Sequence, residues 1–220
     1  MYLSDGKCVV VEFDDTDQPI GEEQGVLAGF CGILATDCSL FPIHFNNWPD
    51  LPKSYFNGCF DRIIKPRFCF KTTELNARAY VYSSIRKKWS SGRQRLWYEF
   101  NDPLKTKAWI MDNVPSGIPR DEWTSYVSYR FNEKTMEMSK RNVEIRKKQT
   151  IAHTGGSKPN SRRRAEMMAE SGQNPGRAQL YLATHKKEDG SLMKQQEKYV
   201  NLSKFLYIPS SLCFCIREYI

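Results

Sequence analysis

The chain has 220 residues, 40% hydrophobic and 13% aromatic, with a formal charge of +8 and a pI near 9.1. That apolar content can build a core and excludes a chain disordered throughout, while the length suits one sizeable domain or two small ones. No stretch approaches the roughly 18 uninterrupted apolar residues of a membrane span, so no membrane partner is expected; the cation excess points to an anionic one.

"KCVVVEFDDTDQPIG" predicts a short strand over Cys8–Phe13, ended by a turn-rich acidic stretch. "EEQGVLAGFCGILATDC" reads as a helix weakened by Gly25, Gly29 and Gly32. In "NNWPDLPKSYFNGCFDRIIKPRF" Asp50 and Pro52 supply capping chemistry. Tyr55, Phe56, Cys59, Phe60, Ile63 and Ile64 come next at helical spacing, closed by Pro66. A long helix is expected over 74–100, with Leu75, Ala79, Tyr82, Ile85, Trp89, Leu96 and Phe100 on one stripe and Gly92 as a weak point.

"SGIPRDEWTSYVSYRF" starts a further helix, with Pro119 in its first turn and Asp121 and Glu122 at the positive end of the dipole. "NEKTMEMSKRNVEIRKKQ" continues as an exposed basic helix, broken by "HTGGSKPNS". "SRRRAEMMAE" and "GRAQLYLATHKK" form two more helices, separated by "SGQNPG". The fold class is therefore mainly α. An aromatic-rich helical domain with a short N-terminal strand spans 1–131. A basic helical extension spans 132–198, and an atypical tail, expected to be disordered or truncated, spans 199–220. The five Trp (48, 89, 97, 109 and 123) are expected to pack in the core.

Charge is segregated. Residues 134–187 hold thirteen Lys or Arg and four Glu, a net +9, so the rest of the chain carries −1. "SKRNVEIRKK" puts Lys140, Arg141, Arg146, Lys147 and Lys148 on or near one helix, and Lys158, Arg162, Arg163, Arg164 and Arg177 come after it. Such clusters neutralise phosphates and release counterions, so a nucleic-acid contact is expected there, against the plainer reading of a solvated helix face. Lys87, Lys88, Arg93 and Arg95 are secondary candidates, in a stretch patterned like the amphipathic helices of small Myb-like DNA binders.

Other chemistries find less support. His153 and His185 lie too far apart for a zinc-finger ligand pair, and the seven Cys include no CxxC, so no metal site and no cofactor is expected. An odd Cys count without a signal peptide argues against a disulfide framework and for a reducing compartment, with buried free thiols. "HTGGSK" lacks the GxxxxGK[ST] spacing of a phosphate loop, no GxSxG occurs, and Asp14, Asp15 and Asp17 stand in a turn. No catalytic residue is assigned.

"HTGGSKPNSRRRAEM…GQNPGRAQLYLATHKKEDGS" resembles the signature of the plant Ptta/En/Spm transposase family. The residues that carry the likeness are Lys140, Arg141 and Asn142, then His153, Gly156 and Ser157. Pro175, Arg177, Leu180, Tyr181, Thr184, His185, Lys187, Asp189 and Gly190 complete it. "EFDDTDQPIG", "NNWPDLP" and "IRKKW" extend the similarity more loosely, over about 9–198. The resemblance implies a nuclear, DNA-associated accessory to transposition, with the catalytic carboxylates on a separate transposase. The alternatives are a module docking that transposase, a homo-oligomer, or a decayed copy. The ending "NLSKFLYIPSSLCFCIREYI" departs from the polar, coiled-coil-like C-terminus of the family.

Overall fold

The computed structural model describes residues 8–148 and 158–185. The elements run β1 (Val9–Val11), α1 (Glu23–Thr36), α2 (Lys53–Cys59), β2 (Phe68–Phe70), α3 (Glu74–Phe100), α4 (Lys107–Asp112), α5 (Arg120–Arg130), α6 (Glu133–Lys147), α7 (Asn160–Ser171) and α8 (Arg177–Ala183). The class is mainly α, as expected. The chain divides into two units, Met1–Arg146 and Lys147–Ile220.

In the first unit β1 and β2 pair in parallel, Val9 opposite Phe68 and Val11 opposite Phe70. Parallel pairing needs a crossover, and α1 and α2 supply it. The acidic turn folds on itself. Asp14 Oδ1 accepts hydrogen bonds from the backbone N–H of Thr16 and Gln18, both at 2.9 Å, and Phe13 bridges Pro19. Residues 60–64 continue α2 as a single π-helical turn. Asp50, expected to cap α2, acts one turn earlier. Its carboxylate accepts the Asn47 N–H at 3.0 Å and closes the 3₁₀ turn Trp48–Asp50, so α2 starts after Pro52 instead.

α3 forms over the predicted residues, capped by Thr73, whose hydroxyl accepts the Asn76 N–H at 3.2 Å. At 27 residues it is roughly 40 Å long and serves two cores. Its N-terminal half packs Ala77, Val81, Ile85 and Trp89 against Leu27, Cys31, Leu34 and Ala35 of α1. Its C-terminal end meets a second cluster of Ile110 from α4 with Trp123, Tyr126 and Val127 from α5. The expected stripe is shifted: Leu75 is 76% exposed and Ala77 is buried. The buried residues recur every fourth position, and each such step turns about 40° around the axis. By Arg93 the buried line has wrapped toward α5. Gly92 breaks nothing; a Cβ there would stand 3.2 Å from Thr36 Cγ2, so the glycine lets the end of α1 approach.

Trp48, Trp89 and Trp123 are buried, Trp97 is half-buried, and Trp109 is exposed. The Trp89 indole N–H lies 3.3 Å from the carbonyls of Phe41 and Pro42, and that of Trp123 donates to Ile110 at 2.8 Å. Cys31, Cys38 and Cys59 are buried free thiols. Cys8 and Cys69 are not free: pairing of β1 with β2 brings their Cα atoms to 5.8 Å, and a disulfide joins them. The expectation that all the thiols are free is corrected there, because a crossover of 61 residues closes on adjacent strands that spacing alone does not reveal. Cys213 and Cys215 lie outside the described residues.

Candidate nucleic-acid interface

Asn132 starts α6, its side-chain carbonyl accepting the Lys134 N–H at 3.1 Å. Helix formers (Met, Glu, Lys and Arg) dominate the turns beyond it. Among the described residues of α6 only Thr135 is buried, and every residue from Met136 to Lys148 is exposed. At about 100° per residue, Lys134, Lys140, Arg141, Lys147 and Lys148 share an arc of about 140°, while Arg146 faces elsewhere. Glu133, Glu137 and Glu144 lie in the same arc. Glu137 precedes Arg141 by four, and Glu144 precedes Lys148 by four, the favourable order for helix pairs. Arg146 and Lys147 also sit at the negative end of the helix dipole. The face is thus cationic but laced with carboxylates.

In the second unit Pro159 caps α7 and Gly172 ends it with φ 69°, its N–H donating to Met168. Arg162, Arg163 and Arg164 are half-buried rather than fully exposed. They stand in and just after the first turn, which holds no acidic residue, so three cations adjoin the positive end of the dipole. Glu166 offsets part of that charge. Its carboxylate accepts from Lys158 Nζ at 2.7 and 3.0 Å and from Arg162 Nε at 3.2 Å. The Lys158 ammonium, chiefly, holds the Glu166 carboxyl below the usual carboxylate range. Sequence patterning assigns Glu166 no role, although its spacing of four from Arg162 is a legible sign.

α8 begins at Arg177, which is exposed, and Gln179 Oε1 accepts the Gly176 N–H at 2.8 Å. Leu180 and Thr184 are buried. The His185 ring stacks on Tyr181 at 4.0 Å, with Nδ1 2.8 Å from the Tyr181 carbonyl oxygen. His185 therefore closes the C-terminal turn of α8. His153, Gly156, Ser157, Lys187, Asp189 and Gly190 lie outside the described residues.

The secondary cations separate. Lys87 and Arg95 are exposed, and Lys88 is half-buried beside Gly32. Arg93 cannot contact a phosphate, being only 7% exposed. Its guanidinium lies 4.4 Å from the Trp89 ring, 4.6 Å from Tyr126 and 5.3 Å from Tyr129, and donates to the Asn46 carbonyl at 3.1 Å. The drift of the buried face explains this correction, since Arg93 is one step of four beyond Trp89. Among the described residues no group of three or more His, Cys, Asp or Glu is arranged to hold a metal ion.

The geometry defines a mainly α-helical chain whose cations concentrate on exposed or half-exposed helices after two cores of mixed aliphatic and aromatic residues. Residues 119–204 match the family model described as plant transposase (Ptta/En/Spm family), so that region is similar to a transposon-related plant transposase family. The resemblance is borne out from α5 onward; residues 9–118 lie outside the match. No curated protein and no solved structure matches the chain. Among the described residues no helix is long and apolar enough to cross a membrane.

Proposed function

We propose that this chain binds DNA through the cations of α6 and α7 as a nuclear, non-catalytic accessory to transposition. The observation that carries the reading is the unbroken exposure of Met136–Lys148, with Lys140, Arg141, Arg146, Lys147 and Lys148 all solvent-facing. Phosphate contacts would come from these, from Lys158 and Arg162–Arg164, and from Arg177. Nuclear localisation follows from DNA as partner; in that reducing compartment the adjacent Cys8 and Cys69, their Cα atoms 5.8 Å apart, would stand as a pair of thiols. The test is a salt-titrated binding assay of the full chain on random and element-end duplexes. Replacing Arg162, Arg163 and Arg164 with Gln should flatten the slope of log K against log salt by up to about 2.7, at about 0.9 per phosphate contact. An unchanged affinity and slope refutes the assignment.

A second reading, a module that docks a separate catalytic transposase or another copy, has one supporting observation. Met136, Met138, Val143 and Ile145 are exposed on α6 at 40%, 55%, 48% and 56%. Most of the aromatics of residues 44–131 fill the two cores and so offer no docking surface. A pull-down whose yield survives nuclease and about 1 M salt, where the Debye length is about 3 Å, would favour docking over DNA binding.

A further inference from the structure

Lys158 and Arg162 are drawn together by a single carboxylate. Both Glu166 oxygens contact the Lys158 ammonium, and Oε1 also receives the Arg162 Nε–H. Two nitrogens that each reach one oxygen stand no more than about 6 Å apart. That is a spacing the oxygens of one phosphate can bridge. We propose that Lys158 and Arg162 form a phosphate-binding pair and that Glu166 is its internal stand-in, displaced when a phosphate binds.

The inference rests on the DNA-binding reading above and adds how that site is regulated. Its energetics come from exposure. The side chains of Lys158, Arg162 and Glu166 are 42%, 27% and 40% exposed. Ion pairs so open to water contribute little, and salt screens them further. A phosphate diester therefore displaces the carboxylate at small cost. Glu166 still lowers affinity, because the two cations release fewer counterions while it is bound to them. An acidic residue elsewhere on α7 would act only through its net charge. Glu170 is such a residue: it is exposed one turn further along and makes no ion pair among the described residues.

The experiment compares the full chain with Glu166→Gln and Glu170→Gln, each checked for retained helicity by far-UV circular dichroism. Glu166→Gln is expected to bind random duplex at least about threefold more tightly than Glu170→Gln at about 100 mM salt. Its log–log salt slope should steepen by up to about 1.8, two contacts at about 0.9 each, while that of Glu170→Gln stays at the parental value. Equal gains from the two variants, or no gain from Glu166→Gln, overturn the inference while leaving DNA binding intact. A second probe is independent of DNA. Inorganic tripolyphosphate, titrated into ¹⁵N-labelled protein, should shift the Arg162 Nε–H resonance, at lower concentration in Glu166→Gln. A chain that binds no duplex but shows this shift refutes the DNA reading and keeps the site. An unmoved Arg162 resonance refutes the site.

Discussion

Arg93 is buried and has no carboxylate partner among the described residues, and replacing it measures what holds a charge there. Three aromatic rings within 5.3 Å contribute about 0.5–2 kcal/mol each, and the hydrogen bond to Asn46 about 1.5–3 kcal/mol. Against this stand several kcal/mol of desolvation and two unsatisfied donors, Nε and Nη2, at about 1–3 kcal/mol each. Burial accordingly pulls the Arg93 pKa below its usual value. The terms nearly cancel. Arg93→Met keeps an unbranched chain between Trp89 and Tyr126 and removes both costs, so its stability should stay within about 1.5 kcal/mol of the parent. Arg93→Ala leaves a cavity among the rings and should lose about 3 kcal/mol, roughly 10 °C in Tm. Arg93→Lys keeps the charge but loses the planar fork, and should fall nearer to Ala than to Met. Urea unfolding followed by tryptophan fluorescence reads all three. A Met variant as unstable as the Ala variant would show that the cation itself, not the packing of its stem, stabilises the α3–α5 contact, and would refute this balance. The Met variant should also leave the salt slope of DNA binding unchanged.

Two further outcomes are expected. Opening the Cys8–Cys69 bridge frees a loop of 61 residues in the unfolded chain, worth at most roughly 4 kcal/mol. Reductant should therefore lower the Tm of the parent and leave that of Cys8→Ser unchanged, and an equal response in both would refute the bridge. Burial, opposed by the Ser84 hydrogen bond and Lys88, pushes the Cys31 thiol from 9.0 up to about 11. Between these values the unfolded chain has lost a proton that the folded chain keeps, so stability is fully present below about pH 9 and falls by up to about 3 kcal/mol as pH rises to about 11. Cys31→Val should lack that part of the alkaline loss in urea melts at about pH 8.5 and about pH 10.5, and parallel losses would refute it.

Local signals are legible where the chain obeys local rules. The helix over 74–100 announces itself through its length, its Thr73 cap and its lack of internal Pro. α5 and α7 are legible through Pro119 and Pro159 before them and Gly172 after. The features that escape depend on partners distant in sequence. β2 is three residues long and exists because β1 is there to receive it. α4 has six residues, too few for a period to show, and is set by Thr106 and by Ile110 meeting Trp123. Periodicity misplaces the buried face of α3 by two residues at Ala77, because which side of a long helix is covered is decided by α1 and α5. The sequence does place the cations of α6 on an exposed helix; that Arg146 faces away from the others comes only from the angle per residue.

Arg93 and Arg162 show why a charge count alone does not locate an interface. Both look alike in sequence, a basic residue on an amphipathic helix near aromatic or apolar neighbours. Around the two cores of the first unit, arginine planes lie on aromatic rings: Arg93 against Trp89 and Tyr126, Arg130 over Trp97 at 4.8 Å, and Arg78 over Phe60 at 4.3 Å. A cation over a ring is held by the quadrupole of that ring and offers little to a phosphate, which would have to strip it away. In α7 the opposing group is Glu166, a half-exposed anion whose contact is salt-sensitive and exchangeable. The first arrangement fixes helices to one another, and the second leaves a charge that another anion can claim. The net +9 of residues 134–187 therefore matters less for its size than for what its cations meet, which for Lys158 and Arg162 is a half-exposed carboxylate rather than a ring within a core.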